Sequence, residues 1–341
     1  MTVSCHDSDP IPKVEGAGSF LSRDGVDLQI MHNGLVIKRG CYYGPWTDEI
    51  IRATGGHHEP QEELVFYRIL ERLAQSDWEK CSIEFGSFWA YYSMWFAHDF
   101  PGAHCLALEP DPAYLEVGKF NAALNGLENA ITFGQGAVGP DPGAAVSFTA
   151  ESDGKSYEVT QYDLASAMQE FDFDHVDVLM VDIQGYEEVL LPRAVELFKA
   201  GKVRFLIVST HHHFISLNPA THQQMLALLV ETGAHVIAEH SVSESYSGDG
   251  LIAVSFDPRD ADLVVEVSHN RACDSLMGGL EEDFAQQLLK LGDTQRELAS
   301  VGAQLAAARA EIAALTNSRL MRWAAPARGV YRRLRSRVRR A

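Results

Sequence analysis

Short apolar runs alternate with segments of helical spacing through most of the chain, and this alternation predicts the fold. Strand-like runs fall at CSIEF (81–85), HCLALE (104–109), AITFGQGAV (130–138), VDVLMVDI (176–183), VRFLIVST (203–210), AHVIAEH (234–240) and LIAVSF (251–256). Helix-compatible segments at 89–99, 112–125, 186–200 and 219–232 lie between most of them. Several of the runs are continuously apolar, as strands of a parallel sheet must be when helices cover both faces. The link between the last two runs is too short for a helical crossover, so that pair is expected to be antiparallel. The pattern predicts an α/β fold, a Rossmann-like sheet of seven strands with the last one reversed.

The flanks follow other patterns. Residues up to about Gly18 read as a loose leader, and 20–43 as a small β-meander with turns at Asp24-Gly25 and Asn33-Gly34, giving an N-terminal piece over 1–55. Helical spacing over 61–74 opens the main domain, expected to run from 56 to 270. Within it, 143–175 breaks the rhythm as a hairpin around Asp153-Gly154 followed by a short helix. Such an insertion at a strand end is either a substrate-contacting loop or a plain surface excursion. From Leu280 a different period takes over. Phe284, Leu291, Leu298, Leu305 and Ile312 recur every seven residues, with Thr294, Val301, Ala308 and Leu315 three after the last four. This heptad predicts a coiled coil over 280–318 and hence a homo-oligomer, the alternative being a lone amphipathic helix folded back on the body.

Charge divides the chain in two. The net charge is −19, yet residues 319–341 hold nine arginines and no acid, which leaves 19 basic against 47 acidic side chains elsewhere. An acidic body is a poor partner for nucleic acid. The tail combines its arginines with Leu320, Met321, Trp323, Val330, Tyr331 and Leu334, a composition suited to an anionic membrane surface, with nucleic-acid binding or a solvated tail as alternatives. No apolar run approaches the roughly 20 residues of a membrane span, and the N-terminus lacks signal-peptide character. Five widely spaced cysteines (Cys5, Cys41, Cys81, Cys105, Cys273) suit reduced thiols in a cytoplasmic protein. The expected location is the cytoplasm, with peripheral docking on the inner face of the cell membrane.

Candidate chemistry gathers at the carboxyl ends of the strand runs, where ligands bind in open α/β sheets. Gly86 follows the first run and permits a tight turn with close backbone approach to a ligand. Glu109 ends the second, where a carboxylate can accept both hydroxyls of a ribose, and Asp111 can cap the next helix. Together they imply an adenosine-type ligand. Asp182 ends the fourth run, placed to bind a metal, orient a substrate hydroxyl, hold a ligand's amino group or simply cap the next helix.

These segments resemble the FkbM family of methyltransferases. The resemblance rests on EFGSFWAYYS, ALEPDPAYLEVGKFNAALNGLEN, VDVLMVDIQGYEEVLL and RFLIVSTHHH, spanning roughly residues 55–256. It implies S-adenosylmethionine as cofactor and O-methylation of a sugar or polyketide hydroxyl. It also places Glu84, Gly86 and Glu109 in the cofactor site and Asp182 at the catalytic edge, with a role in cofactor binding as well. Glu59, in a segment preceding the first strand, would cover the methionine end of the cofactor. The chain departs from the family motif at Glu84, Ser87, Phe88 and Ala90, and at Met180 and Gln184 near Asp182.

His211 falls near a family position that often carries histidine. A histidine here, His211 or His212, is expected to take the proton of the acceptor hydroxyl. Alternatively two histidines with Asp182 hold a divalent metal, or the histidines are structural. The loop 245–251 either borders the same pocket or only turns the last hairpin. The tail resembles the endings of bacterial polysaccharide-assembly enzymes, which points to a small-molecule or lipid-linked glycan as acceptor. Two other readings remain open: another nucleotide-binding Rossmann enzyme, and a non-catalytic, membrane-docked assembly factor.

Overall fold

The computed structural model describes residues 1–270 and 278–317 and divides into two compact units, one ending at residue 276 and one beginning at 277. In the first unit, β1 (Phe20–Arg23), β2 (Val26–Ile30) and β3 (Val36–Lys38) form the expected antiparallel meander. Two helices follow, α1 (Pro45–Ala53) and α2 (Pro60–Leu73), each opened by proline at its first position, where a missing N–H costs nothing.

The central sheet uses β4 (Cys81–Phe85), β5 (His104–Leu108), β6 (Ile131–Gly134), β10 (Val176–Val181), β11 (Val203–Thr210), β12 (His235–His240) and β13 (Gly250–Ser255). Their order is β12-β13-β11-β10-β4-β5-β6. All pairs are parallel except those of β13, which runs against both β11 and β12. The reversed last strand is therefore present, inserted between its neighbours. Helices α3 (Tyr91–Asp99), α4 (Pro112–Leu124), α6 (Glu187–Lys199) and α8 (Thr221–Glu231) occupy the crossovers. Side chains alternate across the sheet, Phe205 and Ile207 entering one core with Tyr91, Trp95 and Phe66, and Leu206 and Val208 entering the other with Leu190 and Phe198.

Three segments differ from expectation. The run 130–138 is two strands: after β6 the chain leaves the sheet at Gln135, and β7 (Gly136–Val138) joins β8 (Ala145–Thr149) and β9 (Ser156–Tyr162) in a separate sheet of order β7-β9-β8. Glycine at 134 and 136 allows this, since a Cβ would meet Leu108 at 2.8 Å in the first case and the Tyr162 ring at 2.5 Å in the second. The hairpin β8–β9 and helix α5 (Leu164–Glu170) are the insertion read from 143–175. The leader is packed rather than loose: Cys5 and Ile11 are buried, and Asp7 accepts the Ser268 N–H at 2.8 Å. Finally, α7 (His213–Ser216), a single turn, follows β11 in a stretch to which the sequence pattern assigned no element.

The second unit contains α9 (Gly278–Asn317), a helix across the heptad segment. Phe284, Leu291, Leu298, Val301, Leu305 and Ile312 are each more than half exposed on it. The basic tail at 319–341 lies outside the described residues. No described helix is long and apolar enough to cross a membrane.

Candidate active site

Beyond β4 the chain turns sharply at Gly86, with φ +78°. A Cβ there would lie 1.6 Å from the carbonyl oxygen of Asp182 at the end of β10, so only glycine lets the two strand ends meet. Gly86 and Ser87 donate their N–H groups to the Leu108 carbonyl at 2.9 and 3.1 Å, tying the turn to β5. Phe88 and Ala90 are also left-handed, with φ +45° and +60°. Strain of about 1 kcal/mol or more per residue is held in this loop. The methyl of Ala90 fits because α4 presents Gly118 opposite it, where a Cβ would approach within 3.1 Å. Phe88 lays its ring against Tyr114, centroids 4.0 Å apart. The two departures from the family motif therefore leave the site open. A cavity of about 700 Å³ lies above the turn, lined by Gly86, Phe88, Glu109, Tyr114, Asp182 and Asp249 among others.

The acids around this cavity are crowded and poorly hydrated. Glu109 accepts the N–H groups of Phe88 and Asp111, both at 2.8 Å, so it is oriented by the loop it faces. Burial pushes its carboxyl up to about 7. Glu84, fully inside β4, accepts the Ser93 N–H at 2.9 Å and its hydroxyl, closing the N-terminus of α3. Burial raises it to about 8. Asp111 caps α4 through the Ala113 N–H at 2.9 Å and holds the inserted hairpin through the Ser152 N–H and hydroxyl at 3.0 and 2.7 Å. That hairpin contributes Val146, Phe148 and Glu151 to the cavity wall, so the insertion is part of the site.

Asp182, 41% exposed, faces the cavity, and His211 is buried behind it. His211 Nδ1 lies 2.9 Å from Glu187 Oε1, and Nε2 lies 3.0 Å from Asp182 Oδ1 and 3.8 Å from Asp249 Oδ1. The Nε2–Asp182 contact is an ion pair rather than an aligned hydrogen bond. Burial opposes charge on this ring, but the carboxylates of Asp182 and Glu187 outweigh it and hold the imidazole well above its ordinary value. His211 is thus placed to hold Asp182 from behind, while Asp182 and Asp249 are the carboxylates of this cluster that face the cavity. Asp249 stands at about 6, raised by burial and lowered by His211. The loop 245–251 thus borders the pocket and supplies a wall residue that strand patterning could not signal.

His212 stands apart. It is the N-cap of α7, where Nδ1 accepts the Phe214 N–H at 3.3 Å, and it does not line the cavity. The set of two histidines with Asp182 needed for a metal is therefore not assembled. Among the described residues, donor atoms close enough for an ion occur at His32–His57–Glu63 and Cys81–His175–Asp177, neither of which includes Asp182. In the first group Glu63, buried, pairs with His57 and accepts the His58 and Glu59 N–H groups at 2.8 and 3.2 Å, pinning the turn before α2. Glu59 borders a crevice with Glu84, Gly86 and Asp182, and a second cavity of about 310 Å³ with Tyr42, Tyr43, Trp46, Thr47 and Asp249. No lysine or arginine is among the described residues lining either cavity.

Residues 74–236 match the model of the methyltransferase FkbM domain. No curated protein matches the sequence. Among solved structures the chain is similar to a precorrin-6y methyltransferase from Geobacter metallireducens GS-15, at 10% identity, 57% of this chain, 86% of that chain and a TM-score of 0.36. It is also similar to the N-terminal domain of human METTL16 in complex with SAH, at 15% identity, 67% of this chain, 88% of that chain and a TM-score of 0.39. A third is an O-methyltransferase from Bacillus cereus in complex with SAH, at 12% identity, 57% and 80% coverage and a TM-score of 0.36. The matched residues include Gly86 and its turn, Glu109, Asp182 and His211. Residues 74–236 therefore form a methyltransferase FkbM domain, and this chain is a methyltransferase.

Proposed function

We propose that the chain is an S-adenosylmethionine-dependent O-methyltransferase acting on a sugar or glycan hydroxyl, in the service of polysaccharide biosynthesis. The observation that carries this reading is the convergence of Gly86, Glu109 and Asp182 on one cavity at the carboxyl ends of β4, β5 and β10. The residues fit the cofactor. Gly86 leaves backbone space that a Cβ would fill, Glu109 offers a loop-oriented carboxylate for ribose hydroxyls, and Phe88 and Tyr114 offer apolar surface for a base. The acidic wall suits the cofactor's positive charge.

When bound, the cofactor supplies an electrophilic methyl group. The protein's own part is to bring the acceptor hydroxyl in line and take its proton. Asp182, held by the charged ring of His211, is the acceptor for that proton, with Asp249 beside it. Helix α9 assembles copies of the chain through its heptad face, and the tail docks the assembly on anionic lipid, where a lipid-linked acceptor would lie.

Titration calorimetry with S-adenosylmethionine tests the cofactor assignment. The intact chain should bind in the micromolar range, and Glu109→Ala should weaken binding at least tenfold. No binding by the intact chain would sink the enzymatic reading in favour of an assembly factor.

A further inference from the structure

The second cavity includes Glu59, expected at the methionine end of the cofactor, and opens onto the same edge of the sheet. Tyr42, Tyr43 and Asp249 line both cavities, so a ligand seated in the smaller one reaches the wall that carries Asp182. Its chemistry is distinctive. Trp46 is 61% exposed at the start of α1 and Tyr43 is 44% exposed, an unusual cost for large aromatic rings on one short segment. Tyr43 has φ +49°, a left-handed conformation that a bulky side chain adopts only when its surroundings impose it. The surroundings are evident. Gly44 turns the chain, and the Thr47 hydroxyl contacts the carbonyls of Tyr42 and Gly44, locking the turn that displays both rings. Beneath them Tyr42 stacks on Trp89 with ring centroids 5.2 Å apart, and its hydroxyl lies 3.4 Å from Glu59 Oε1.

Resting on the methyltransferase reading above, we propose that this cavity is the acceptor subsite, and that it selects uncharged or amine-bearing pyranosides and rejects anionic ones. Exposed aromatic faces match the C–H faces of a pyranose ring, and Glu59 and Asp249 accept its hydroxyl protons. A ligand ammonium gains further from Asp249 and from the ring faces. A uronate or sugar phosphate would bring its charge against Asp249 and Asp182, the imidazole of His58 in the wall is already engaged by Glu63 at 2.7 Å and Glu59 at 3.5 Å, and no lysine or arginine is among the described lining residues. Any phosphate of a lipid-linked acceptor must therefore lie outside both cavities.

Saturation-transfer NMR on the full chain without cofactor tests this, using methyl β-glucopyranoside, its 2-amino-2-deoxy analogue and its glucuronate analogue as probes. The neutral and amine-bearing glycosides should bind at least fivefold more tightly than the glucuronate. Trp46→Ala should weaken both at least fivefold, while calorimetry shows S-adenosylmethionine affinity within twofold of the parent. Preference for the glucuronate, no binding of any probe, or glycoside binding unaffected by Trp46→Ala would overturn the proposal. Cofactor binding is measured separately, so loss of that reading leaves a distinct signature: glycosides that bind a chain unable to bind S-adenosylmethionine. As a check on folding, Trp46→Phe should retain most of the glycoside affinity, and full loss in that variant would also overturn the stacking role.

Discussion

At the scale of single residues, position relative to a strand end decided what could be read in advance. Gly86, Glu109 and Asp182 each follow an apolar run directly, so the runs themselves place them at one edge. Tyr42, Tyr43 and Asp249 sit on turns with no periodic signal, and only the tertiary fold brings them to the cavities. The histidine triplet was legible as unusual but not as to role, because the role depends on what surrounds each ring. His211 meets Glu187 and Asp182, whereas His212 caps a helical turn. From this, His211→Ala should lower turnover at least tenfold with S-adenosylmethionine affinity within twofold, and His212→Ala should change turnover less than threefold. The pH profile separates positioning from mere structural damage. Activity should fall as pH drops through about 6, where Asp249 takes up a proton. Removing the His211 charge should move that acid limb upward, because the imidazolium is what holds the neighbouring carboxyl down. An acid limb unmoved in His211→Ala would refute the coupling.

Elements were read more completely than residues. Short apolar runs interleaved with helical spacing pointed to strands buried on both faces, and the short last link to the antiparallel pairing of β13 with β12, whereas the spatial order of the strands is supplied by the structure alone. The miss at 130–138 has a physical cause: hydropathy sees one apolar run, but the change of sheet depends on where Leu108 and Tyr162 pack against glycines 134 and 136. Asp111 is the joint between α4 and the inserted hairpin, serving both with one carboxylate. Asp111→Ala should therefore cost about 1–2 kcal/mol in thermal unfolding through the lost cap, and in addition speed proteolytic cleavage near Asp153-Gly154. Asp111→Asn should retain much of the cap. Equal protease resistance in the parent and Asp111→Ala would show that the hairpin is held by other means.

For the whole molecule, the acidic catalytic unit and the heptad helix are separate compact units, and each carries its own prediction. Analytical ultracentrifugation of the full chain should give an oligomer, and the double substitution Leu298→Glu, Leu305→Glu should give a monomer with unchanged S-adenosylmethionine affinity. A parent that sediments as a monomer would leave α9 as a single amphipathic helix. The tail makes a distinct claim. Deletion of residues 319–341 should abolish co-sedimentation with vesicles containing phosphatidylglycerol, and retained binding would count against lipid docking.

The lining of the larger cavity has a consequence for turnover. It holds Glu109, Asp111, Asp141, Glu151, Asp182 and Asp249 and no basic side chain among the described residues. Methyl transfer converts a positively charged sulfonium into a neutral thioether, so the donor loses its attraction to that wall at the moment it is used. The same carboxylates would hold the spent cofactor less tightly than the fresh one. A lining of this charge would favour release of the product and priority for the donor that still has a methyl group to give.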